Sequence, residues 1–318
     1  MKLKILNLDY KNYSQSAQKI LKQIGLVTNK ILSANQLAKE IGEYDILIVD
    51  VITPVGKEII TQAKKLKIIA TAATGTDHID ILAAQKQGIK IVSLKGQTDF
   101  LKTVPATAEL TMGLLLALTR QIPWAFDSVR KNQWLRPEFK GVDLMGKTIG
   151  LVGFGRLGKI VAGYAKAFGL KVIAFDPYVK LAEFKKAGIK KVSLKTLLQS
   201  ADIISLHINL TPQNFNFISG SEFKLMKKSV FFINTARGQL VDEKALLFAL
   251  KNKKLAGAAL DVLANENESG TNNKNPLINY AKQNKNLIIT PHIGGMTVDS
   301  ADKARIFIAQ EIKQVTKN

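Results

Sequence analysis

The sequence predicts an α/β protein built from two doubly wound parallel-sheet domains. Three observations carry that expectation. Short apolar, β-branched runs alternate with helical patterns along the whole chain, which is how parallel sheets covered by helices are written. A chain of 318 residues is long for one core and comfortable for two. Midway along, at Gly153, a glycine-rich turn between a strand and a helix opens a second β/α series.

In order, Leu3 to Leu8 is a short apolar strand and Tyr13 to Ile24 alternates at helical spacing. Asp45 to Asp50 is a buried strand, followed by a helix from about Gly56 to Leu66. Ile68 to Thr71 is the next strand, then a helix over Asp77 to Gln87, then a strand over Ile89 to Leu94. Thr103 to Arg120 is a helix that is hydrophobic nearly all round, which marks a core or interface helix rather than a membrane span. A polar, aromatic segment from Pro123 to Gly146 leads into the second series, so a domain boundary is expected near residue 100. Later strands are Ile203 to Ile208, Val230 to Asn234, Ala256 to Val262 and Leu287 to Thr290. Asp299 or Ser300 can cap a last helix, Ala301 to Gln314, which is free to return to the first domain.

The most informative stretch is Lys147-Thr-Ile-Gly-Leu-Val-Gly-Phe-Gly-Arg-Leu-Gly158. Thr148 to Val152 form a buried strand, and Gly153, Gly155 and Gly158 give the spacing G-x-G-x-x-G where it turns into a helix. The first glycine allows the tight turn, the second lets backbone approach a pyrophosphate, and the third lets helix and strand pack closely. Main-chain N–H groups at the helix start, near Arg156 and Leu157, face the phosphates with the positive dipole end behind them. Asp176 ends the next strand, 18 residues past Gly158. A carboxylate there accepts from both adenosine ribose hydroxyls and repels a 2′-phosphate, so NAD is expected rather than NADP.

Composition narrows the class. Cysteine is absent, which excludes disulfides, thiolate metal sites and a cysteine nucleophile. The N-terminus is interrupted by charge too soon for a signal peptide, and a cytoplasmic protein is expected. The formal net charge of +21 comes from lysines spread end to end, with only six arginines. That pattern describes a solvated surface with some attraction for anionic substrates, not a nucleic-acid or membrane face.

Three late strands end in reactive side chains: Arg237, then Asp261 and Glu266, then His292. Beside a nicotinamide ring they suggest one reaction. Arginine polarises a carbonyl and holds a carboxylate with its planar fork. Histidine exchanges the hydroxyl proton while hydride moves to or from the ring, and glutamate holds the imidazole in the right tautomer. The bland alternatives are a surface ion pair for Arg237 and a satisfied buried ring for His292. His78 and His207 read as structural, with His207 near the cofactor.

These stretches also carry a resemblance. Ala73-Thr-Gly-Thr-Asp-His-Ile-Asp80, Gly153-Phe-Gly-Arg-Leu-Gly158, Leu206-His-Ile-Asn-Leu-Thr-Pro212, Ile233-Asn-Thr-Ala-Arg-Gly238, Gly257-Ala-Ala-Leu-Asp-Val262 and Thr290-Pro-His-Ile-Gly-Gly295 stand in one order across most of the chain. In that order the sequence resembles the NAD-dependent D-isomer-specific 2-hydroxyacid dehydrogenases. The resemblance implies a flavodoxin-like substrate domain (1–100 with 292–318) and a Rossmann NAD domain (101–291), with a cleft between them. It implies Arg237, Glu266 and His292 as the catalytic three. It places NAD against the glycine loop, Asp176, Ile208, Thr235, Ala236, Asp261, Gly294 and Gly295, and the substrate carboxylate on the amides of Thr74 and Gly75 together with Arg237. It implies no metal and a homodimer through the NAD domain. Around Glu266 the chain departs from the family, which usually has an acid at 264 and proline at 267, so Glu268 is the alternative partner of His292.

Within the family, phosphoglycerate enzymes usually carry Arg-Ser where this chain has Asp50-Val51. An aspartate repels a phosphate unless a lysine such as Lys57 compensates. With the chain ending at Asn318, no regulatory domain is expected, and a small acid such as hydroxypyruvate/D-glycerate or glyoxylate is favoured. The alternatives are a D-3-phosphoglycerate dehydrogenase lacking a regulatory domain and an NADH-sensing corepressor-like binding protein.

Overall fold

The computed structural model describes residues 2–266 and 275–317. Contacts divide the chain into two compact units, Met1–Val104 with Met296–Asn318, and Pro105–Gly295.

The first unit is a five-stranded parallel sheet of β1 (Leu3–Asn7), β2 (Gly25–Asn29), β3 (Ile46–Val49), β4 (Ile68–Thr71) and β5 (Lys90–Val92). Their spatial order is β2-β1-β3-β4-β5, the flavodoxin-like arrangement with its switch point between β1 and β3. β3 and β4 are buried along their whole length, as the unbroken apolar runs require of central parallel strands. One face of the sheet packs on Leu21 of the first helix (Gln15–Ile24) and Ile308 and Ile312 of the last (Val298–Val315). Ser14 caps the first of these and Thr297, not Asp299 or Ser300, caps the last. β2 and the helix Ala34–Glu40 were not anticipated.

The second unit is a seven-stranded parallel sheet of β6 (Thr148–Val152), β7 (Lys171–Phe175), β8 (Lys190–Lys191), β9 (Ile203–Leu206), β10 (Phe231–Asn234), β11 (Gly257–Leu260) and β12 (Leu287–Ile289). The order β12-β11-β10-β9-β6-β7-β8 reverses between β6 and β9, which opens a crevice at the carboxyl end of β6. The helical stretch Thr98–Thr119 is long and apolar enough by composition to cross a membrane. Within it, the helix Ala106–Thr119 buries Ala108, Met112, Leu115 and Leu118 against Ile149, Leu151, Ile233 and Ala259 of the sheet, so its apolarity is that of a core helix.

Candidate active site

The glycine loop follows β6 as its spacing demands. Gly153 has φ +100, and a Cβ there would lie 2.4 Å from the His207 carbonyl oxygen. A Cβ on Gly158 would lie 2.3 Å from the carbonyl oxygen of Gly153, so both positions exclude any side chain. A Cβ on Gly155 meets nothing within 4 Å. That open space lies at the N-cap of the helix Arg156–Ala167, beside the amides of half-buried Arg156 and Leu157. Bare backbone, free space and a twelve-residue helix dipole together fit a pyrophosphate.

Asp176 ends β7 beside this loop. Its Oδ2 accepts from the Phe154 amide at 2.9 Å, and its Oδ1 accepts from the amides of Tyr178 and Val179 at 2.9 and 3.1 Å. Three of a carboxylate's roughly four acceptor sites are therefore used by main chain. His207, just past β9, shares a hydrogen bond of 2.9 Å between its Nε2 and Ser205 Oγ, and burial draws its pKa down to about 4. A neutral imidazole therefore supports the loop from below. Ile208 is half-buried next to it, its Cγ2 facing Gly153.

The three strand tips are built differently from one another. At the end of β10, buried Asn234 donates from Nδ2 to the Arg237 carbonyl at 2.9 Å and accepts the Ala236 amide at 3.0 Å. This folds Thr235 to Arg237 into a fixed turn. Thr235 bonds through its hydroxyl to Thr111 at 2.8 Å. The half-buried Arg237 donates from Nη1 to the Ala236 carbonyl at 2.8 Å. After β11, Asp261 is 1% exposed and faces inward. Its Oδ1 accepts from Thr290 Oγ1 at 2.5 Å and from the Ile293 amide at 2.9 Å, and its Oδ2 accepts from the Gly294 amide at 2.8 Å. Its carboxylate thereby grips the loop after β12 on both sides of His292. Gly294 is buried in that grip, whereas Gly295 is exposed.

His292 itself adopts φ +55, in the left-handed region that costs a non-glycine residue of order 1–3 kcal/mol. The Asp261 clamp and the His292 amide bond to the Asp261 carbonyl at 2.8 Å hold it there. In that conformation Nδ1 lies 2.5 Å from Glu266 Oε1, while Glu266 Oε2 accepts the Leu263 amide at 3.1 Å. Nδ1–H donates to the carboxylate, which leaves Nε2 available. Glu268 lies outside the described residues. In the other unit, Thr74 and Gly75 occupy the irregular loop after β4, and their amides donate to no protein acceptor among the described residues. Asn234, Thr111, Thr290 and Ser205 were not singled out from the sequence. For Asn234, Ser205 and Thr290 the signal was their place at strand ends beside the reactive residues, whereas Thr111 lies inside the helix Ala106–Thr119.

Residues 112–294 match the family profile described as D-isomer specific 2-hydroxyacid dehydrogenase, NAD binding domain. The chain is 38% identical over 287 residues to a hydroxypyruvate reductase of Thermotoga maritima, covering 90% of this chain and 89% of that one. It is 39% identical over 305 residues to a D-3-phosphoglycerate dehydrogenase of Methanocaldococcus jannaschii, covering 95% of this chain but 56% of that one. The chain spans about half the length of the phosphoglycerate dehydrogenases it matches. Among solved structures it is similar to the D-lactate dehydrogenase of Aquifex aeolicus, complexed with NAD and lactic acid. That likeness has a TM-score of 0.85 at 29% identity and covers 99% of this chain and 95% of the other. The glycine loop, the acid ending β7 and the profile match agree on NAD as the cofactor of the second unit. The chain belongs to the D-isomer-specific 2-hydroxyacid dehydrogenase family.

Proposed function

We propose that the protein is an NAD-dependent oxidoreductase interconverting a small D-2-hydroxy acid and its 2-oxo acid. The observation that carries this is the His292–Glu266 pair, 2.5 Å apart and held in a strained backbone at a strand tip of an NAD-binding unit. Bound NADH supplies the hydride. Arg237 orients the substrate carboxylate and polarises the carbonyl next to it. His292 delivers its proton from Nε2 to the carbonyl oxygen as the carbon is reduced, and Glu266 keeps Nδ1 as the donor that fixes the ring. The amides of Thr74 and Gly75, which donate to no acceptor among the described residues, support a role for the first unit in binding the carboxylate.

Hydroxypyruvate/glycerate or glyoxylate is the favoured substrate pair. Asp50 supports this, since its carboxylate accepts from Thr53 Oγ1 at 2.7 Å where a phosphate would need a cation. The relatives named D-3-phosphoglycerate dehydrogenase favour the phosphorylated acid as the second reading, with Lys57 in the missing arginine's role. Homodimerisation through the NAD-binding unit is supported by an apolar patch of Ile122, Phe126, Val129 and Trp134, which are 51%, 62%, 50% and 83% exposed. The cytoplasm is the proposed compartment.

The test is NADH oxidation at 340 nm with hydroxypyruvate, glyoxylate, pyruvate and 3-phosphohydroxypyruvate, with NADPH as control. Turnover of the first two with NADH is expected. His292→Ala should lower kcat by about 10²–10⁴-fold while the Kd for NADH stays within about twofold. Loss of NADH binding instead would make His292 structural and overturn the assignment.

A further inference from the structure

Parallel strands place all their amino ends on one side of a sheet, opposite the edge where the glycine loop and the strand tips lie. At that far edge of the second unit is a cavity of about 440 Å³, bounded by the starts of β10, β11 and β12. Its size is in the range of small-molecule sites. Lys140, Lys251, Lys253 and Lys285 line it, and no aspartate or glutamate does. Phe231 and Tyr280 supply aromatic surface, with Leu118 and Val142 beside them.

The lysines have a competing explanation, which is that they neutralise helix C-termini. The helices Ala106–Thr119 and Glu243–Lys251 both end at the cavity. Each end carries roughly half a negative charge. Glu138 offsets a further charge, standing 3.7 Å from the Lys285 ammonium. Four full positive charges exceed these together, so the site stays cationic.

We propose that this cavity is a binding site for a nucleoside phosphate, separate from the dinucleotide site. The ammonium groups take the phosphates and the aromatic rings take the base. A bare phosphate would leave the rings unused, and an apolar ligand would leave the surplus positive charge unmatched.

The experiment is isothermal titration of ATP, without metal, into the protein saturated with NADH, which keeps ATP out of the glycine loop. One ATP per chain is expected, with a Kd of roughly 0.1 mM. The variant pair Lys251→Ala/Lys253→Ala, and independently Lys140→Ala/Lys285→Ala, should weaken it about tenfold or more and leave the Kd for NADH unchanged. Inorganic tripolyphosphate should bind about tenfold more weakly than ATP, because it lacks the base. The proposal is overturned if NADH abolishes ATP binding or if both lysine pairs bind ATP like the parent. Equal affinity for tripolyphosphate and ATP also overturns it, as does absence of any heat to about 2 mM ATP.

Discussion

At the residue scale, the site depends on carboxylates and amides whose partners are main chain. Asp176 accepts three backbone N–H groups, and Asp261 accepts two together with the Thr290 hydroxyl, so each holds a loop beside the site. Their types and positions were legible from the strand endings. Their grip was not, because it depends on which amides a loop turns inward. His207 shows a related effect with a consequence in pH. The unfolded imidazole takes its proton near pH 6.5, the folded one only near about 4, so unfolding absorbs a proton between those values. Stability therefore falls as pH drops through that window, by about 2 kcal/mol between pH 7 and pH 5. Urea unfolding followed by the fluorescence of Trp124 and Trp134, both in the second unit, reads this directly. His207→Gln should flatten the dependence, and an equal slope in that variant would assign the acid sensitivity elsewhere.

At the element scale, central strands were readable and edges were not. β3, β4 and β6 are continuous apolar runs, buried on both faces, and were expected within a residue or two of where they lie. β2 is an edge strand with only Gly25 buried, and it follows the first helix without a turn, so no period-two pattern or breaker announces it. β8 is two lysines long. The helix Ala34–Glu40 did carry a signal, since Ser33 and Gln36 form a reciprocal capping box. Approach between loops was also hidden. A Cβ on Gly238 would lie 2.0 Å from the Leu263 carbonyl carbon and 2.3 Å from the Ala264 nitrogen, where the Arg237 turn meets the segment leading to Glu266. Neither backbone can yield without displacing a reactive residue. Gly238→Ala should cost about 2 kcal/mol or more in the same fluorescence-monitored unfolding and lower kcat about tenfold or more. Wild-type kcat in a destabilised variant would uncouple that contact from the site.

At the scale of the whole chain, the first unit is closed by residues 296 positions apart. Arg305 on the last helix donates from Nε to Asp9 Oδ2 at 2.8 Å and from Nη2 to Asp9 Oδ1 at 3.1 Å. Arginine and aspartate are 7% and 2% exposed, and Tyr13, whose phenol burial pushes well above its usual range, stands beside them. A patterned helix predicts that Ala304, Ile308 and Ile312 dock on the sheet, but not that an arginine is buried among them. Such a pair adds little over an apolar replacement of both partners, yet losing one partner strands a buried charge at a cost of about 3–5 kcal/mol. Arg305→Met should therefore lower the urea midpoint of the first unit, which contains no tryptophan. Far-UV circular dichroism should show an early transition that tryptophan fluorescence does not. Asp9→Asn in the same chain should recover about half of the loss, because the stranded charge is gone. An unmoved circular-dichroism midpoint in Arg305→Met would mean that the docked apolar face alone secures the last helix.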